Sequence, residues 1–208
     1  MEQYPSIDAR IFAALYDPFL ALGERRSAAA VRARLLGSLS GDVLEIGAGT
    51  GLNVPHYPQD LEQLVLTEPD PAMLRRLRRR AGDRTTVVGA PAESLPFADD
   101  GFDAVVSTLV LCTAPEPGAA LAEVARVLRP GGRLVLMEHV LAQAPRLARR
   151  QRRYARPWKA LAGGCRCDQN TALLLSEAGF DVSGLRREAW RGMPSIVRPL
   201  VTGSLALR

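Results

Sequence analysis

One feature constrains the fold of this chain more than any other: a glycine loop at residues 45–51 with the sequence EIGAGTG. The loop follows Val43 and Leu44, an apolar pair typical of a buried strand. Glycines at alternate positions allow a tight turn, let the backbone approach a ligand closely and open the helix that follows. The sequence therefore predicts a strand, a ligand-binding loop and a helix in succession.

The spacing and charge of this loop indicate the kind of ligand. A dinucleotide-binding loop has the pattern G-x-G-x-x-G, but Leu52 stands where its third glycine would be. The leading Glu45 would repel a phosphate and suits a cationic group instead. We therefore expect S-adenosylmethionine (SAM), whose amino group and sulfonium are both cationic, and consider a nicotinamide cofactor disfavoured.

Hydrophobic patterning predicts an α/β fold: a Rossmann-like, doubly wound, mostly parallel seven-stranded sheet with an N-terminal helical extension. Two helices are expected within residues 7–37, interrupted at Pro18 and Gly23. The expected strands are 42–46, 64–66, 85–88, 102–109 and 134–137, with two closing antiparallel strands at 180–185 and 196–206. Helices are expected from Asp70-Pro71 onward, at 119–128 and at 171–178, with a short or irregular one after Gly51.

Length and composition limit the domain count, the compartment and the partners. The 208 residues suit one domain, divided into a helical lid (1–38), a SAM-binding core (40–140) and an acceptor-side segment (141–208). Three cysteines without a secretory signal favour a cytoplasmic protein, and the two histidines are too few to complete a structural zinc site, so no metal is expected. The net charge is +5, yet the arginine runs at 75–80 and 146–156 lack interleaved aromatics, which argues against nucleic acid. Peripheral membrane contact and oligomeric state remain open.

In a doubly wound sheet, ligands bind beyond the carboxyl ends of the strands. The glycine loop, the acid after the second strand, the small-residue loop after the third and the exit of the fourth all reach that edge. A carboxylate at Glu68 can accept hydrogen bonds from both ribose hydroxyls of a nucleoside. The candidate cofactor-binding residues are Glu45, Gly47, Ala48, Gly49, Gly51, Asn53, Glu68, Pro69, Ala92, Glu93, Thr108 and Leu109.

These motifs together resemble the class I SAM-dependent methyltransferases. The resemblance covers about residues 40–140 and rests on LEIGAGTG at 44–51, Glu68, LPF at 95–97 with FD at 102–103, and LRPGG at 128–132. TLVLC at 108–112, MEHV at 137–140 and the segment from WK at 158–159 to GC at 164–165 are similar to the alkyl thiol methyltransferases. That resemblance implies S-methylation of a small thiol. The animal members carry a hydrophobic membrane anchor, which we do not expect here, because the amphipathic helical pattern begins at once.

The acceptor site is less constrained by sequence. Glu138 and His139, at the end of the fifth strand, are candidate proton acceptors, although a structural role for the histidine is equally consistent with its position. Cys112 is expected in the core. Aromatic residues expected to cover or line the acceptor site are Tyr4, Phe12, Tyr16, Phe19, Trp158 and Trp190. Methylation of an oxygen or carbon atom of a phenol, quinol or natural-product intermediate, and SAM binding without catalysis, remain as alternatives.

Overall fold

A computed structural model describes residues 9–208 and contains one seven-stranded sheet. The strands are β1 (Asp42–Ile46), β2 (Gln63–Thr67), β3 (Thr85–Val88), β4 (Phe102–Thr108), β5 (Leu128–His139), β6 (Arg186–Ala189) and β7 (Pro199–Ala206). Their order across the sheet is β3-β2-β1-β4-β5-β7-β6. Strands β1 to β5 pair in parallel, whereas β7 runs antiparallel to both β5 and β6. The predicted fold class is confirmed.

The sheet order fixes where a ligand can bind. The chain passes outward from β1 to β2 and β3, and then returns to β4 on the other side of β1. The connections on either side of this reversal leave in opposite directions, which opens a crevice at the carboxyl ends of β1 and β4. Strand β1 is buried along most of its length, so the glycine loop leaves a fixed point of the core.

The helices flank this sheet. They are α1 (Ala9–Gly23), α2 (Ala29–Leu36), α3 (Pro71–Arg80), α4 (Pro117–Val127), α5 (Pro145–Leu161) and α6 (Thr171–Glu177). Helix α3 begins as predicted: the Asp70 carboxylate accepts hydrogen bonds from the backbone N–H groups of Ala72 and Met73, and Pro71 occupies the first turn. A 3-10 turn at Val54–His56 follows the glycine loop, in agreement with the short, irregular helix expected there.

The N-terminal helices are more continuous than predicted. Pro18 lies inside α1, and a π-helical segment at Glu24–Ala28 joins α1 to α2 without a loop. Gly23 serves close packing: a Cβ atom there would lie 2.5 Å from Nε1 of Trp190. The glycine therefore indicates contact with the C-terminal segment, and the predicted interruption at this point is wrong.

The C-terminal third also differs from the expectation. Residues 180–185 form no strand: Phe180 makes an isolated bridge with Leu207, and Val182–Gly184 is a 3-10 turn. The Asp181 carboxylate accepts a hydrogen bond from the Ser183 N–H, which favours the turn over a strand. The edge strand is instead β6, and the other predicted closing strand corresponds to β7. Helix α5 was not predicted, because a buried Gln151 interrupts its apolar face.

Candidate active site

A cleft of about 330 Å³ lies at the carboxyl ends of the strands around the reversal of the sheet. The residues of the predicted cofactor site that line it are Gly47, Gly49, Glu68, Pro69, Ala92, Glu93, Thr108 and Leu109. They come from four separate loops, and the parallel strand order brings them to one edge. The opposite wall includes Phe12 and Tyr16 of α1, together with residues 160–164 after the end of α5.

The glycine loop is built from left-handed backbone. Gly47, Gly49 and Gly51 have φ values of +55°, +59° and +86°, which side-chain-bearing residues rarely adopt. A Cβ at Gly47 would lie 2.8 Å from Val110, whereas a Cβ at Gly49 would meet no atom within 4 Å. Gly47 is therefore needed for packing against Val110, and Gly49 leaves its space open to a ligand.

Glu68 lies at the end of β2 with its carboxylate at the cleft. One oxygen accepts a hydrogen bond of 2.8 Å from the Gly49 N–H, and the other accepts one of 2.8 Å from the Asp70 N–H. Burial raises the pKa of this carboxyl, although the two backbone donors oppose the shift. A carboxylate has about four acceptor positions, so the two bonds leave capacity for ligand hydroxyls.

Glu45, Ala48, Gly51 and Asn53 do not line the cleft, and all four are buried. The buried Glu45 carboxylate accepts hydrogen bonds of 2.7 Å from the Tyr57 hydroxyl and 2.9 Å from the Asn53 amide. Burial raises the pKa of Glu45 to about 7, and the bonds from Tyr57 and Asn53 limit the rise. Glu45 thus has partners within the protein and supports the loop from behind.

A polar chain connects this network to the N-terminal helices. The buried guanidinium of Arg32 donates a hydrogen bond of 2.6 Å to the Asn53 side chain and two of 3.1 and 3.0 Å to the Glu24 carboxylate. Asn53 in turn donates to the Thr108 hydroxyl at 2.9 Å. The π-helical segment that contains Glu24 is therefore tied through Arg32 and Asn53 to two walls of the cleft. The role of Arg32 is not predictable from the sequence, because nothing there distinguishes it from the many exposed arginines.

The exit of β4 has a strained backbone at the cleft. Leu109 has φ of +61°, a conformation rare for a residue of its size, and its N–H donates to the Met137 carbonyl at 2.8 Å. The following turn is held by Glu138, whose fully buried carboxylate accepts bonds of 2.8 and 3.1 Å from the N–H groups of Val110 and Leu111. Ser107 donates a further bond of 2.8 Å to it. This geometry favours a structural role for Glu138 over contact with an acceptor.

A second cavity, also about 330 Å³, adjoins the cleft and is lined mostly by apolar side chains. We call it the acceptor chamber. The two cavities share the residues Phe12, Tyr16, Leu109, Thr113, Leu161 and Ala162. The rest of the chamber is formed by Leu15, Phe19, Leu20, Cys112, His139, Trp158, Cys165, Trp190, Met193 and Val197. A molecule in the chamber thus lies beside a ligand in the cleft.

His139 lies in the chamber wall, with its ring centroid 5.6 Å from that of Trp190. Burial lowers the pKa of His139 to about 4, although the backbone carbonyls of Pro199 and Val197 oppose the shift. Nδ1 makes no hydrogen bond of normal geometry. The ring is therefore neutral at pH 7 and is a weak base.

The predicted lining residues Phe12, Tyr16, Phe19, Trp158 and Trp190 all contact the chamber, while Tyr4 lies outside the described residues. Cys112 is buried, as expected of a core residue, yet it also lines the chamber with Cys165. The Cys165 thiol and burial together hold the pKa of Cys112 well above its usual range. Residues 9–208 contain no group of three or more His, Cys, Asp or Glu side chains placed to hold a metal ion.

Comparison with known proteins agrees with this geometry. A methyltransferase-domain family model matches residues 44–136. The human thiol S-methyltransferase TMT1B is 35% identical over 70% of this chain and 62% of its own length. Human thiol S-methyltransferase TMT1A is 32% identical over 77% of this chain and 68% of its own length. The chain belongs to the class I SAM-dependent methyltransferases.

Other members of the family are also similar to this methyltransferase. A demethylmenaquinone methyltransferase of Renibacterium salmoninarum is 37% identical over 57% of this chain and 50% of its own length. A SAM-dependent methyltransferase structure from Thermotoga maritima superposes with a TM-score of 0.69 at 21% identity, covering 94% of this chain and 97% of that one. The methyltransferase spans 62% of the length of human TMT1B. The acceptors of these relatives differ, so family membership alone leaves the acceptor open.

Membership confirms SAM as the cofactor expected from the sequence, and the cleft of the methyltransferase fits it. The open space at Gly49 leaves room for a ligand against the loop backbone, and Glu68 retains acceptor capacity for ribose hydroxyls. Within the described residues, no helix is long and apolar enough to cross a membrane.

Proposed function

We propose that this protein transfers the methyl group of SAM to a small apolar thiol. The observation that carries the proposal is the junction of the two cavities: the cleft that fits SAM opens, at Tyr16, Leu109 and Thr113, into a chamber with apolar walls. SAM supplies an electrophilic methyl group on its sulfonium sulfur. The protein's contribution is alignment and exclusion of water, and orientation alone can supply up to about 7–11 kcal/mol of the barrier.

Within the cleft, each loop contributes a different contact to the proposed cofactor site. The Glu68 carboxylate accepts hydrogen bonds from the ribose hydroxyls, and the backbone at Gly47 and Gly49 lies against the methionine portion. Ala92 and Glu93 lie beside the adenine. Glu45 and Asn53 act from behind, because their hydrogen bonds fix the loop between β1 and its 3-10 turn.

The chamber selects for a neutral, apolar acceptor. Its walls include Phe19, Trp158, Trp190 and Met193. No Asp, Glu, Lys or Arg of the described residues lines it, and His139 is neutral. An acceptor with charged groups away from its reacting sulfur would lose their hydration there without gaining a partner, which costs several kcal/mol. The charge of a thiolate differs, because its sulfur lies beside the SAM sulfonium. Glutathione and similar polar thiols are therefore expected to be poor acceptors.

The weak base in the chamber favours sulfur over oxygen. A free thiol has a pKa near 8.5, so a fraction of it is thiolate at neutral pH without a dedicated base. An alcohol needs a base positioned at its hydroxyl, and a His139 ring with a pKa of about 4 removes a proton poorly. In the proposed reaction the thiolate sulfur forms a bond to the methyl carbon as the bond from that carbon to the sulfonium breaks. The thiol proton has already passed to solvent.

A panel of acceptors incubated with methyl-labelled SAM tests the proposal. Transfer is expected to an aliphatic or aromatic thiol without charged groups, and much less to glutathione or to the oxygen analogue of the same thiol. The variant Phe19→Ala, which opens the chamber wall, should raise KM for the apolar thiol, whereas Phe97→Ala, outside both cavities, should not. Transfer to the alcohol or phenol but not to the matching thiol would contradict the thiol assignment.

Oxygen or carbon methylation is a second candidate, supported by the similarity to a demethylmenaquinone methyltransferase. A quinol also has low polarity and fits an apolar chamber. This reaction requires a base more strongly, and His139 supplies an imidazole in the chamber wall. If this candidate is right, His139→Ala lowers kcat on a quinol by at least about 100-fold, the lower end of general-base contributions. Unchanged turnover would remove its support.

A further inference from the structure

The outer face of α1 is apolar although it faces solvent. Ile11, Leu15, Phe19 and Leu22 are 54%, 60%, 53% and 49% exposed. Their spacing of four, four and three residues places them on one side of the helix. The acid within this stretch, Asp17, points away from the stripe, because its carboxylate pairs with Arg80 at 2.8 Å. An exposed, continuous apolar stripe of this size indicates a binding surface.

Helix α5 extends this surface. The ring of Phe19 lies 6.3 Å from that of Trp158, and the aromatic ring of Phe12 packs against Gly163 just beyond the end of α5. Leu161, at the end of α5, is 65% exposed. The stripe of α1 and the end of α5 therefore form one continuous surface, which we call the α1–α5 face.

Among the described residues, helix α5 and the end of α1 carry an excess of positive charge around this face. Helix α5 contains seven basic residues and no acidic one: Arg146, Arg149, Arg150, Arg152, Arg153, Arg156 and Lys159. All of them are exposed, and none forms an ion pair with a carboxylate of residues 9–208. Arg25 and Arg26 add exposed charge beyond the end of α1. Apolar side chains and unpaired cations thus occur together.

We propose that the α1–α5 face docks on a lipid bilayer that contains anionic headgroups. The apolar stripe enters the boundary between headgroups and acyl chains, and the cations of α5 bind the anionic surface. A second copy of this chain fits less well, because packing two such faces together would bring like charges close. A polyanion without an apolar layer would leave the stripe exposed to water.

The docking surface also contains the entrance to the acceptor chamber. Leu15, Phe19 and Leu161 line the chamber, and each is more than half exposed at the α1–α5 face. An apolar acceptor dissolved in the bilayer therefore reaches the chamber without crossing water. This entry route rests on the proposed function, but docking itself does not.

Flotation of the full chain with vesicles tests the docking. Phosphatidylcholine vesicles containing phosphatidylglycerol should carry the protein upward, pure phosphatidylcholine should carry much less, and added salt should weaken the binding. Ile11→Gln with Leu22→Gln, which changes the stripe but not the chamber wall, should lower the bound fraction. Arg149→Glu with Arg153→Glu should lower the vesicle partition coefficient at least about tenfold, because each cation near an anionic surface adds substantially to the binding.

Matched variants elsewhere in the protein distinguish binding by this face from an effect of overall charge or hydrophobicity. Arg75→Glu with Arg79→Glu removes the same charge from α3, and Leu173→Gln changes an exposed leucine of α6. Both should float like the unaltered protein, and all variants should keep the wild-type circular dichroism spectrum. Absence of flotation by the unaltered protein, or equal losses in the α3 variant, would overturn the proposal. Sedimentation velocity that shows a dimer dissociated by Ile11→Gln with Leu22→Gln would assign the face to a second copy.

None of these flotation measurements uses SAM or an acceptor. Docking can therefore fail while methyl transfer to a dissolved thiol is intact, and methyl transfer can fail while docking is intact.

Discussion

Two acids of the cofactor region, Glu45 and Glu68, show how one residue type takes different roles. Glu68 faces the cleft and accepts a hydrogen bond from the N–H of Gly49. Glu45 is buried and accepts hydrogen bonds from Tyr57 and Asn53. The sequence predicts that both belong to this region, because each stands at the carboxyl end of a buried strand. It does not predict which acid faces the ligand, since that depends on Tyr57 and on the buried Arg32, whose burial arises only from tertiary packing.

The buried position of Glu45 predicts a pH-dependent stability. Its pKa rises from the ordinary 4.5 to about 7 on folding, so the folded state holds this proton more tightly than the unfolded state. The stabilising contribution is complete below pH 4.5 and is lost as pH rises to about 7. Denaturant unfolding should show the free energy of unfolding of the wild type falling, relative to Glu45→Gln, across that range. A constant difference from pH 4.5 to 7 would contradict the assignment.

At the scale of elements, hydrophobic alternation and caps predict most of the sheet. Strands β1 to β4 and the start of α3 agree with their patterns, because each has a buried apolar run or a defined cap. The C-terminal elements agree less well. Helix α5 buries Gln151, whose amide donates to the carbonyls of Cys167 and Ile196, so a polar residue occupies an inward position and obscures the helical period.

A side chain at Gly49 in the glycine loop should affect SAM binding as well as stability. Gly49 and Gly131 both have left-handed backbone, with φ of +59° and +81°, and a Cβ at either would meet no atom within 4 Å. Alanine at each position should therefore destabilise the fold similarly, by roughly 1–2 kcal/mol. Only Gly49→Ala places its methyl group in the cleft, so only this variant should weaken SAM binding, at least about tenfold by calorimetry. Equal affinities in the two variants would mean that the loop does not contact SAM.

At the scale of the whole molecule, the sheet order brings the separate loops together. Residues as distant in sequence as Gly49 and Leu109 line one cleft, because β1 and β4 are neighbours at the reversal of the sheet. The alternation of strands and helices predicts this edge. The sequence also predicts aromatic residues that line the chamber, such as Phe19 and Trp158. It does not predict how α1, the end of α5 and residues 190–197 meet to form the chamber, because that packing is tertiary.

The most direct test of the account is the affinity for SAM measured by titration calorimetry in the wild type and in Glu68→Ala. Removing a charged hydrogen-bond partner of the cofactor should weaken binding by about 1.5–3 kcal/mol. Glu62→Ala, an exposed acid just before the opposite end of β2, provides the matched control and should bind like the wild type. If Glu68→Ala binds SAM as tightly as the wild type does, the cofactor does not occupy the cleft described above.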